Sequence, residues 1–175
     1  MAGRPAQAEL LESWGRAREA IALTRPHAQA GDRMALDFVG RLMARHDHGA
    51  EAFELLRPGV EDWFLAAPLV DVAAAAGRDA DAAALLTAWI PVDRRCDSPW
   101  CCRSGLDADT ALGLLAQIRE RQGRTDDAIA QLRTRHGTSV NGRDQLAELL
   151  ARHGRIEELR EYAASHGRAR RAVPG

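Results

Sequence analysis

Residues 109–132 read DTALGLLAQIRERQGRTDDAIAQL and hold one complete unit of the pattern that decides the fold. From Asp109 to Gln122, helical spacing places Leu112, Leu115, Ala116 and Arg119 on one face, with Gln117, Glu120 and Arg121 opposite. Gly123 ends that helix, as suits a residue free to take positive φ just past a C-terminus. Asp126 and Asp127 open a second helix, where carboxylates meet the positive end of the dipole. Ala128, Ile129 and Leu132 give this helix an apolar stripe, and Arg135 and His136 are expected in its last turn before Gly137.

The same phrase recurs along the chain. Its turn residues are Gly15, Asp47, Gly77, Gly123 and Gly154, at steps of 32, 30, 46 and 31 residues. Upstream lie apolar positions: Val39 and Met43, Leu69 and Ala73, Leu115, Leu146 and Leu150. Five residues after each turn comes Ala20, Ala52, Ala82, Ala128 or Leu159. Helices in a tight hairpin cross with axes about 8–10 Å apart, so a small side chain is expected at the crossing. Leu159 departs from this and implies looser packing in the last unit. A period near 30 built from two helical stretches predicts a stacked array of helical hairpins. Pro26, Pro58 and Pro91 follow their turn residues by 11, 11 and 14 positions, where they are expected to stop the second helix. The long step of 46 contains PVDRRCDSPWCCRSG at 91–105, expected as a loop insertion.

Composition narrows the function. Apolar residues make up 46% of the 175, largely through alanine, and aromatics only 5%, so the core is thin. A net charge of −1 gives no general pull toward nucleic acid or anionic lipid. All 24 basic residues are arginine. That removes the lysine of a P-loop, of a pyridoxal Schiff base and of a protein-kinase strand. The N-terminal stretch PAQAELLESWGRAREAIALT carries acids and arginines with no signal-like apolar core, and no run approaches a membrane span. A cytoplasmic protein is expected.

The chemistry-bearing residues read mostly as structure. Cys96, Cys101 and Cys102 lie beside Arg94, Arg95 and Arg103, which would favour thiolate. Adjacent cysteines point apart, however, and zinc needs four converging ligands. With Trp100, they are expected to pack back onto neighbouring helices. His46, His136, His153 and His166 fall where helices are expected to end, so a capping role outweighs metal ligation by His46 and His48. Nucleophile elbow, zincin, dinucleotide and EF-hand patterns are absent from the sequence. No catalytic residue, metal or cofactor is assigned. Residues 168–175, with Arg168, Arg170 and Arg171, are expected as a short basic tail.

Leu112-x-x-Leu115-Ala116, Gly123, Ala128 and Leu132 resemble the tetratricopeptide repeat (TPR), as do Leu36-x-x-Val39-Gly40-x-x-Met43, Ala52 and Leu56. The resemblance spans about residues 5–167. It is to a degenerate array of the actinobacterial type, without the usual aromatics and with a slightly short period. It implies an all-α solenoid of about five helix-turn-helix repeats in a right-handed superhelix, with residues 1–175 as one domain. It further implies that first helices line a concave groove holding a protein or peptide partner. The matching groove positions are Asp37, Arg41, Arg45, Asp71, Gln117, Arg121, Asn141, Asp144, Glu148 and Arg152. A non-catalytic interaction scaffold is therefore expected, without nucleic-acid or membrane partners and with room for a homo-oligomer. Two other readings stand beside it: a regulatory sensor of a peptide or small ligand, and a thiol or zinc module at the cysteine segment.

Overall fold

All five turn residues have left-handed backbones: φ is +74° at Gly15, +64° at Asp47, +65° at Gly77, +74° at Gly123 and +65° at Gly154. The reason is a hydrogen bond that closes each turn. The N–H after the turn residue donates to the carbonyl four before it: Arg16 to Leu11, His48 to Met43, Arg78 to Ala73, Arg124 to Arg119 and Arg155 to Leu150, at 2.8–2.9 Å. That bond satisfies a carbonyl the helix end leaves orphaned, and it forms only when the intervening residue turns left-handed. Gly31, at φ +84°, makes a sixth such turn, with Asp32 N–H on the His27 carbonyl at 3.1 Å. It joins one hairpin to the next and so falls outside the period of the other five.

In the computed structural model, which describes residues 4–90, 105–135 and 144–171, these turns separate ten α-helices. They are α1 (Arg4–Ser13), α2 (Ala17–Gln29), α3 (Arg33–Arg45), α4 (Gly49–Leu56), α5 (Trp63–Ala76), α6 (Asp79–Thr87), α7 (Ala108–Arg121), α8 (Thr125–Arg133), α9 (Gln145–Arg152) and α10 (Ile156–Arg171). The chain divides into two units, Met1–Leu114 and Leu115–Gly175, with the boundary inside α7. In the first unit α1/α2, α3/α4 and α5/α6 form hairpins, and α3 also packs on α5. In the second, α8 packs on α9 and α9 on α10.

The first helices α3, α5, α7 and α9 begin alike. Asp32 accepts from the N–H groups of Met34 and Ala35, Asp62 from Phe64, Asp107 from Thr110 and Asp144 from Ala147, each capping orphan donors of its helix. The second helices α2, α6, α8 and α10 are pinned by an arginine just after the turn paired to a carboxylate three residues on: Arg16–Glu19, Arg78–Asp81, Arg124–Asp127 and Arg155–Glu158.

The crossing alanines Ala20, Ala52, Ala82 and Ala128 are all 0% exposed. Val39, Met43, Leu69, Ala73, Leu115, Leu146 and Leu150 are likewise buried. Leu159 is partly buried against the second unit's core of Ala116, Ala128, Ile129, Leu132, Leu146, Leu149 and Leu150.

Three sequence expectations need correction. Pro26 does not stop α2, which continues to Gln29; within a turn of the end, the missing N–H removes one bond and little of the helix depends on it. Arg135 lies beyond α8, which closes at Arg133 with Thr134 Oγ1 donating to the Gln131 carbonyl. His166 is not in the last turn of α10, and Arg168, Arg170 and Arg171 continue that helix. His136, and Pro91 with the whole cysteine segment to residue 104, lie outside the described residues.

Among the described residues Asp47 alone holds a left-handed turn without being glycine, and its carboxylate has no hydrogen-bond partner there. An L side chain in that region costs on the order of 1 kcal/mol. Asp47→Gly should therefore raise the stability of the first unit by about 0.5–1 kcal/mol in urea unfolding. A lowered midpoint would mean that the aspartate supports the turn in a way its geometry does not reveal.

Candidate functional site

On α3, Arg41 and Arg45 stand four residues apart and Ala44 lies between them on the same face. On the adjoining α5, Asp71, Val72 and Ala75 form the opposite wall. Together these six residues line an open groove of about 300 Å³. Its floor is small and apolar; its rim is charged. Arg41 Nε donates to Asp37 Oδ1 at 2.6 Å and its Nη1 to Asp71 Oδ2 at 2.7 Å, tying the two first helices together. Arg45 turns the other way and donates from Nε and Nη2 to both carboxylate oxygens of Glu12 on α1, each at 2.9 Å. His46 Nε2 also meets Glu12, at 3.0 Å.

The Glu12 arrangement is repeated in the second unit. Arg152 Nε and Nη2 donate to the two oxygens of Glu120 at 3.1 and 2.8 Å, and His153 Nε2 lies 2.9 Å from Oε1. In both cases the carboxylate sits three residues before a turn, and the arginine and histidine sit two and one before the following turn. The hydrogen bond from Arg45, with His46 behind it, holds the Glu12 carboxyl below its ordinary range against the opposing effect of burial. Burial pushes the Glu120 carboxyl up, but Arg152 and His153 outweigh it, and the net shift is downward. Bidentate geometry of this kind fixes orientation as well as charge. His46 and His153 do occupy helix C-caps, but their rings serve these bridges.

Of the ten groove positions implied by the resemblance, Arg41, Arg45 and Asp71 line the groove and Asp37 braces Arg41 from behind. In the second unit Gln117 and Arg121 are exposed on α7 and Glu148 on α9. Arg152 belongs to the Glu120 bridge, with Glu148 3.9 Å away. Asp144 caps α9 and accepts from the Tyr162 hydroxyl at 2.7 Å; burial, then this carboxylate, push the tyrosine up to about 12. Asn141 lies outside the described residues. Glu12, Glu120, His46 and His153 were not among the expected site residues. The signal that finds them is the recurrence of Glu at turn minus three before Arg-His at the next turn.

Among the described residues no cluster of His, Cys, Asp or Glu is arranged to hold a metal ion, and no helix is long and apolar enough to cross a membrane.

No protein-family model matches the sequence, and no curated protein matches it. Among solved structures the chain is similar to a thermophilic TPR protein of Thermus thermophilus, at 18% identity over 93% of this chain and 88% of that one, with a TM-score of 0.50. A Podosopora anserina protein of nearly identical TPR-like repeats aligns at 16% identity over 91% and 89% of the two chains, with a TM-score of 0.48. The first likeness shows the fold: an all-α array of TPR-like helical hairpins.

Proposed function

We propose that this protein is a non-catalytic scaffold that binds a peptide or protein partner along its first helices, with the α3–α5 groove as the anchoring point. The observation that carries the reading is the groove itself: Arg41, Arg45 and Asp71 border an open, small-residue floor. A surface of this composition suits an extended chain, because charged groups at the rim fix register while small residues admit a side chain between them. The proposal takes residues 1–175 as one domain and extends the binding face to Gln117, Arg121, Asn141, Asp144, Glu148 and Arg152. The exclusive use of arginine fits a GC-rich, actinobacterial source.

The test is a library of end-blocked twelve-residue peptides with acidic, neutral and basic members, read by fluorescence anisotropy. Wild-type protein should capture a subset. The paired change Arg41→Ala and Asp71→Ala should weaken those members about tenfold, with the helical circular-dichroism signal intact. Capture of no member, or capture indifferent to the paired change, would remove the groove as the binding surface.

A further inference from the structure

Two large apolar side chains stand open at neighbouring helix starts: Met34 is 61% exposed on α3 and Trp63 is 45% exposed on α5. The two starts are joined by Arg33. Its Nη2 donates to Asp62 Oδ1 at 2.8 Å, and its guanidinium lies 5.9 Å from the Trp63 ring centre and 4.7 Å from that of Phe64. Two such side chains offer a small fraction of the about 800 Å² per partner that a stable interface buries. A freely diffusing partner therefore gains little here. A tethered segment needs no more, because a short tether holds it at an effective concentration on the order of millimolar.

The chain supplies such a segment, since residues 91–104 leave and return beside this patch. α5 and α6 form a hairpin, so α6 closes next to the start of α5. There Trp89 N–H donates to the Leu86 carbonyl at 3.0 Å and Ile90 N–H to the Thr87 carbonyl at 3.3 Å. On the return side, buried Leu106 donates its N–H to the Glu61 carbonyl at 2.6 Å, two residues from Trp63. The sequence between these anchors is PVDRRCDSPWCCRS, and its longest apolar run is Pro99, Trp100, Cys101 and Cys102. Six residues of chain from Leu106 reach up to about 20 Å, and Trp63 is within about 7 Å of Glu61 along the backbone, so Trp100 can reach the patch.

We propose that Met34, Arg33 and Trp63 form the docking surface for the chain's own residues 99–102, with Trp100 packed across Met34 and Trp63. Docking takes apolar surface on both sides out of water and brings Cys101 and Cys102 to the start of α3. The α3–α5 groove lies toward the other ends of the same two helices, so this assignment and the scaffold reading stand or fall separately.

Disulfide trapping tests the position. Met34→Cys, held in reduced and oxidised glutathione, should form an intramolecular disulfide from residue 34 to Cys101 or Cys102, mapped by tryptic mass spectrometry. Trp14→Cys, at the exposed turn end of the first hairpin, should be trapped at least about tenfold less. A second measurement leaves α3 and α5 untouched. In reducing buffer, trypsin should cut wild type after Arg94 and Arg95 at least about tenfold more slowly than Trp100→Ser, with the helical circular-dichroism signal unchanged. Trp100→Ser alters no described residue, so its fold is not at issue. Trapping at residue 34 no greater than at residue 14, or equal cleavage of wild type and Trp100→Ser, would each overturn the proposal. Dimers of Met34→Cys linked through residue 34 would overturn it too and give the patch to a second copy of the chain.

Discussion

Ala128→Leu is expected to destabilise the second unit by about 1–3 kcal/mol, seen as a lower urea midpoint. Ala128 is fully buried among Ala116, Ile129, Leu132 and the α9 leucines, where added methylenes have no free volume to enter. Relief requires α7, α8 and α9 to separate, or leucine to leave its preferred rotamers. Ala130→Leu is the matched control. It makes the same chemical change two residues away on the exposed side of α8, and should stay within about 0.5 kcal/mol of wild type. Equal midpoints for the two variants would remove residue 128 from the helix crossing, and with it the role given to alanine throughout the array.

The second large effect concerns the carboxylate bridges. Glu12→Gln and Glu120→Gln keep shape but remove charge from an acceptor holding an arginine and a histidine. Both glutamates are 22% exposed, but Arg45 and Arg152 are about half exposed, so solvent screens each pair. About 1 kcal/mol per bridge is expected at neutral pH, and about 2 kcal/mol for the double variant, since the bridges lie in separate units. The pH dependence follows from the lowered folded-state acidity of both carboxyls. In the unfolded chain each glutamate takes its proton near pH ~4.3; in the folded protein it resists until lower pH. The bridges therefore contribute fully above about pH 5, and their contribution is lost as pH falls through the folded-state values. Wild type and double variant should differ most at pH 7 and converge near pH ~3. A gap that stays constant across that range would assign the stabilisation to shape instead of charge.

The turns were legible from sequence because few residues accept positive φ. Turn residues at steps of 32, 30 and 31, with a single step of 46, are hard to produce otherwise, and that spacing located Asp47, where composition alone would not. Gly31 was overlooked because it links hairpins and so breaks no period. Alanine at turn plus five was legible for a steric reason and is buried in every instance. Pro26 misled because a proline near a helix end removes one bond without ending the helix.

The groove was legible in part. Arg41, Arg45 and Asp71 were reached through the resemblance, which implies that first helices line a groove. Their actual engagements were not. Arg45 meets a glutamate 33 residues upstream and Arg41 an aspartate 30 residues downstream. Helical spacing rules describe partners three or four residues away and say nothing about such pairs. Only alignment of the repeats on their turns brings Glu12 and Glu120 into one column, with Ala44 and Ala74 at the two turns between them.

In residues 4–90 each helix packs chiefly on the next one or two along the chain. No early segment waits for a distant one to arrive, so little loop-closure entropy stands between the unfolded chain and its first productive contacts. Assembly can begin at any hairpin and spread to its neighbours. The same economy of connection sets the route of evolutionary change: a block of about thirty residues can be gained or lost at a turn while the surrounding blocks keep nearly all their partners.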